Sequence, residues 1–160
     1  MDRKTACLQL GHEGELAVAE LIRGRGHTVR LDGGNHLHDL VIEGTVTIEV
    51  KTALPSAGSN GNKRRWQFKL FEDRDGRQPM REDILILRCQ RDVDGQVADH
   101  YIIPGHLVPD LLKRIDITSE PGTYNGKYSL FLDAWHLLDA EVALAVADGR
   151  QLPLPETIPF

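Results

Sequence analysis

HDLVIEGTVTIEVKT, residues 38–52, reads as two short apolar runs folded back on each other at Glu43-Gly44. A glycine at such a turn enters positive φ without side-chain penalty, so the two runs pair as a tight hairpin. In the second run Val46, Ile48 and Val50 alternate with Thr45, Thr47, Glu49 and Lys51. Strand side chains alternate with period two, so the first set packs on a core while the second opens to a cleft. Glu49 and Lys51 therefore share a face. Asp39, on the adjoining run across the turn, comes alongside them. Ionisable groups planted in apolar strands are costly unless they pair with one another or bind a metal.

Outward from this hairpin the elements follow in order. Residues 10–24, LGHEGELAVAELIRG, form a helix whose apolar stripe is Ala17, Val18, Leu21 and Ile22, ended by Gly24 and Gly26. HTVRL (27–31) is a strand, and Asp32-Gly33-Gly34-Asn35 a turn. Downstream, 54–63 is a Gly/Ser/Asn-rich loop, 64–71 a strand and 72–79 a second loop. DILILRC (83–89) has the continuous apolar character of a central strand, and pairs with HYIIP (100–104) across Asp94-Gly95. Residues 105–115 are expected to be helical, with Pro109 early in the helix. YSLFLDAWHLL (128–138) reads as a strand running into a helix, 139–149 as helix, and the Pro-rich tail as extended. Residues 1–160 make one domain without internal repeats. The fold class is α/β, with a mixed central β-sheet flanked by helices.

The composition is that of an ordinary soluble domain, 41% hydrophobic and 27% charged. No run approaches the roughly 20 apolar residues of a membrane span, and the first residues lack the apolar stretch of a secretory signal. Two cysteines, Cys7 and Cys89, stand in no paired motif. A reducing, cytoplasmic setting is the expectation. The net charge of −5 disfavours nucleic acid as a partner, but its distribution does not. From Lys63 to Arg81 there are seven basic residues against three acidic ones, a local excess of four. Lys63, Arg64 and Arg65 are the leading candidates for phosphate contacts.

Two carboxylates and a lysine on adjacent strands suit phosphodiester hydrolysis. That reaction needs a divalent cation on oxygen ligands and a positive charge near the attacking water. The set Asp39…Glu49-Val50-Lys51 resembles the PD-(D/E)XK motif of restriction-endonuclease-like nucleases. Gly11-His12-Glu13-Gly14-Glu15, in the preceding helix, resembles the Gly-x-x-Gly-Glu with which many members open. The resemblance covers about residues 10–70, and the compact layout is similar to Holliday-junction resolvases, Mrr-like enzymes and phage-borne or homing-type endonucleases. His38 stands where the motif's Pro would be. The resemblance implies a restriction-endonuclease-like core and a DNA endonuclease dependent on Mg²⁺ or Mn²⁺. Asp39, Glu49 and the Val50 carbonyl would hold the metal, and Lys51 would orient or help deprotonate the water. Glu15 would hold a metal-bound water or a second metal, and Gln67 would be an auxiliary polar group. Cutting both strands further suggests a homodimer.

Blander roles compete for several residues. His36 and His38 are loop histidines that flank the motif; Trp66 and Phe68 suit a core more than base stacking; Cys89 suits burial. Two rival functions are a catalytically inactive nuclease fold that binds DNA and a protein-interaction module, the latter favoured by the acidic charge.

Overall fold

The computed structural model of the chain describes residues 2–32, 39–57, 64–70, 82–110 and 112–150. The turn at 33–35, His36, His38, Lys63, the 72–79 loop and the tail lie outside these residues. The first helix, α1, spans Arg3–Gly24 and is capped by Asp2, whose side chain accepts from the Thr5 N–H at 2.7 Å. It starts a full two turns earlier than expected. Those turns are exposed and carry no core-facing stripe, so only the cap marks them.

The strands are β1 (Val29–Leu31), β2 (Leu40–Ile42), β3 (Val46–Ala53), β4 (Ser56–Ala57), β5 (Arg64–Lys69), β6 (Ile84–Gln90), β7 (Ala98–Pro104) and β8 (Arg114–Ile117). They build two sheets. The larger has the order β1-β2-β3-β6-β7 and is mixed, with β3 and β6 parallel and the other pairs antiparallel. The smaller has the order β4-β5-β8, all antiparallel. The β2–β3 hairpin turns at Glu43 (φ 51°) and Gly44 (φ 68°), two consecutive left-handed residues, as a two-residue hairpin of primed type requires.

β6 explains the layering. All seven of its residues are buried. Ile84 and Ile86 face a core shared with Val18, Ala19 and Ile22 of α1 and with the second helix, α2 (Trp135–Ala147). Leu85, Leu87 and Cys89 face a second core completed by Trp66, Phe68, Ile115 and Ile117 of the small sheet. Both helices thus cover one face of the large sheet and the small sheet covers the other. Val46, Ile48 and Val50 enter the helix-side core, as the alternation requires. Trp66 and Phe68 are buried too, which takes both out of base stacking. Cys7 and Cys89 are free, the latter buried.

The expected helix over 105–115 is absent. A short 3₁₀ turn at Gly105–Leu107 follows β7, and Arg114–Ile117 is strand. The apolar residues Leu107, Val108 and Leu112 imitate a helical spacing. The alternation in Arg114-Ile115-Asp116-Ile117, which buries both isoleucines against β5, wins instead. Before α2 there is likewise a 3₁₀ turn at Ser129–Phe131 rather than a strand. No helix of the described residues is long and apolar enough to cross a membrane.

Candidate active site

The site forms where β2 ends and β3 continues. Strand pairing stops at Leu40 opposite Ile48, with one further backbone bond from the Asp39 N–H to the Ile48 carbonyl at 3.1 Å. Two residues further along β3, the Asp39 side chain reaches the backbone, its Oδ2 accepting the Val50 N–H at 2.8 Å. This bond fixes Asp39 beside Glu49 and Lys51. Those two project from the same face of β3, with Lys51 Nζ 2.8 Å from Glu49 Oε1. Their side chains keep 32% and 20% of their exposure, so both reach solvent from a mostly covered position.

Glu15 arrives from α1. Gly14, the residue before it, is buried where α1 crosses β3. A Cβ on Gly14 would stand 1.9 Å from Thr52 Oγ1. Only glycine allows this approach, and it brings Glu15 close enough to hydrogen-bond Asp39. Asp39 also hydrogen-bonds Glu49. Three carboxyl groups on three elements therefore meet beside one ammonium.

The electrostatics follow from that crowding. Burial, then the neighbouring Glu49 and Glu15, push the Asp39 carboxyl up to about 8, against the pull of the Val50 N–H. Glu15 is also raised, by burial first and by Glu49, while Asp39, His12 and Lys51 pull the other way. Burial works to lower Lys51, but Glu49, Asp39 and Glu82 outweigh it and hold the ammonium above its ordinary value. The protein thus crowds three carboxyl groups around one lysine, and without a cation Asp39 keeps its proton at neutral pH. Oxygen ligands in this excess suit a hard divalent cation. Among the described residues no three His, Cys, Asp or Glu side chains form a ready metal cage. The oxygen donors gathered here are the carboxyl groups of Asp39, Glu49 and Glu15.

The remaining candidates are elsewhere. Gln67 lies on β5 opposite Asp116, on the face turned away from Trp66 and Phe68. Arg64 pairs with Glu120 at 2.6 Å, donates to the Arg91 carbonyl and lies over the Trp66 ring, so it is tied down within the protein. Arg65 is exposed. Sequence reasoning missed Glu82, which acts on Lys51 from the start of β6. It also missed the role of Gly14 as the contact that admits Glu15. The motif holds that glycine, but only the packing shows what it touches.

No protein-family model matches the chain, and no curated protein matches it significantly. Among solved structures it is similar to the bacterial homing endonuclease I-Ssp6803I, with a TM-score of 0.63 at 17% identity, over 87% of this chain and 95% of that one. At that identity the likeness is one of fold, and the fold shared is that of a structure in which a nuclease is built.

Proposed function

We propose that the chain is a metal-dependent DNA endonuclease that hydrolyses phosphodiester bonds at Asp39, Glu49 and Lys51, as the PD-(D/E)XK resemblance implies. The observation that carries this reading is the meeting of Glu15, Asp39 and Glu49 beside Lys51, with burial, then Glu49 and Glu15, holding Asp39 up to about 8. The fold likeness to a homing endonuclease supports it.

Asp39, Glu49 and the Val50 carbonyl would hold Mg²⁺ or Mn²⁺. When bound, such an ion polarises a phosphoryl oxygen and makes water a better nucleophile. The chain's own groups do the rest. The Val50 N–H holds the Asp39 carboxyl in place next to Glu49. Lys51, anchored on Glu49, is placed to orient the attacking water and to offset negative charge that builds on the phosphorus oxygens. Glu15 steadies Asp39 from behind and would hold a metal-bound water. The partner is DNA.

Supercoiled plasmid with Mg²⁺ or Mn²⁺ tests this reading. Wild type is expected to nick it, with loss of at least a hundredfold in rate on Lys51→Ala or Glu49→Ala, on the order of the loss seen when one stabilising donor is removed from an active site. Cutting by the variants at the wild-type rate would refute the assignment.

A further inference from the structure

The small sheet covers the second core with one face, and its other face carries exposed and half-buried polar side chains. On β5, Trp66 and Phe68 point inward, so Arg65, Gln67 and Lys69 point outward. On β8, Ile115 and Ile117 point inward, so Arg114 and Asp116 point outward. The register sets Gln67 beside Asp116 and Lys69 beside Arg114. Arg114 is 54% exposed, its Nε 3.0 Å from Asp116 Oδ1. The Arg65 and Lys69 side chains are exposed, and neither has an ion-pair or hydrogen-bond partner among the described residues. Among the described residues of β5 and β8, three cations against one carboxylate lie on this face, on a chain whose net charge is −5.

An exposed strand face of this kind normally balances its charges across the rungs, since like charges directly opposite repel. Here Lys69 and Arg114 form a like-charged rung, and among the described residues the one carboxylate paired with it is Asp116. The face is the complement of a polyanion. The rung next to it is of another character: a carboxamide and a carboxylate, groups that read adenine and cytosine edges. Two-stranded antiparallel ribbons fit the major groove, about 12 Å wide.

We propose that the outward face of β5 and β8 is the surface on which duplex DNA docks. Arg65, Lys69 and Arg114 hold phosphates, and the Gln67–Asp116 rung faces the base edges. The inference rests on the nuclease reading for its choice of polyanion. It also moves the phosphate contacts: Arg64, held by Glu120, is a brace for the sheet, while Arg65 on the opposite face has no ion-pair partner among the described residues.

The test is the salt dependence of duplex binding by the full chain in EDTA, where nothing is cut. Each cation that holds a phosphate contributes about one to the slope of log affinity against log salt. Arg65→Ala and Lys69→Ala are each expected to reduce the slope by about one, weakening all sequences alike, and the triple variant with Arg114→Ala by about three. Gln67→Ala is expected to keep the slope and relax base preference at one position of a selected pool. Thermal melting confirms that each variant is folded. A triple variant with wild-type slope and affinity overturns the docking face, and if wild type nicks plasmid, the nuclease reading survives it. A wild type that neither binds at low salt nor nicks overturns both.

Discussion

Asp39 is the residue on which the site turns. It accepts the Val50 N–H and sits beside two other carboxyls. Burial, then these neighbours, hold its carboxyl up to about 8, which is a cost to the metal-free fold. Asp39→Asn keeps an oxygen for the Val50 N–H and removes the charge. It is therefore expected to raise the melting temperature in EDTA by a few degrees, a gain on the order of 1 kcal/mol, and to abolish cutting. A lower melting temperature would mean that the carboxylate is needed by the fold rather than by the reaction. The pairing of Asp39 with Glu49 and Lys51 was legible in the sequence, because strand alternation and a two-residue turn determine it. Glu82 was not legible, since it reaches Lys51 only through the parallel pairing of β3 and β6.

A second residue carries a pH effect remote from the site. His100 on β7 is buried against Trp135, with ring centroids 5.6 Å apart, and its Nε2 has no hydrogen-bond partner. Burial first, then Arg88, lower it to about 4, with Asp99 opposing. The unfolded chain takes up this proton near pH 6.5, before the folded one does. Stability from this residue is therefore complete above about 6.5 and is lost as pH falls toward 4, by at most about 3 kcal/mol. His100→Phe keeps the ring contact and removes the proton. Urea midpoints measured from pH 7 to pH 4 are expected to fall less steeply in this variant. Parallel curves would assign the acid limb to other groups.

At the scale of elements, the α1–β3 crossing does most to make the site. Gly14 lets the helix lie against Thr52. Gly14→Ala forces the two apart and is expected to cost about 1–3 kcal/mol, as overpacking does. It should also slow cutting, because Glu15 moves away from Asp39. Thr52→Ala in the same chain removes the Oγ1, leaving the Thr52 Cβ at 3.0 Å as the nearest atom, and should recover part of the melting temperature. No loss of stability in Gly14→Ala would show that the crossing has room to spare. The helix, the hairpin and the β6–β7 pair were legible because each has its own period or turn. β8 was not. Its four residues alternate for too short a run to outweigh the apolar spacing before them, and only pairing with β5 secures it.

At the scale of the molecule, the mixed sheet was legible and the second sheet was not. The reason is that a strand buried on both faces, such as β6, announces that something covers each face but not what. Helices were expected to flank the sheet, with no face assigned to them. They occupy one, and the small sheet takes the other. One such unit carries one candidate centre. If both strands of a duplex are cut together, two copies must act, and a two-fold dimer is the simplest arrangement. The expected result is a dimer by light scattering at concentrations where double-strand breaks form. A monomer that makes double-strand breaks would contradict it.

The central claim is that Asp39, Glu49 and Lys51 form a metal-dependent nuclease centre. The most direct test is a time course of supercoiled-plasmid nicking with Mg²⁺, with Mn²⁺ and with EDTA, for wild type, Lys51→Ala, Glu49→Ala and Asp39→Asn, with each protein's melting curve recorded in parallel. The account predicts nicking by wild type with either ion and none in EDTA. It also predicts none by the three variants, all of them folded and Asp39→Asn the more stable. Nicking that persists in EDTA, or in a folded Lys51→Ala variant at the wild-type rate, would contradict it.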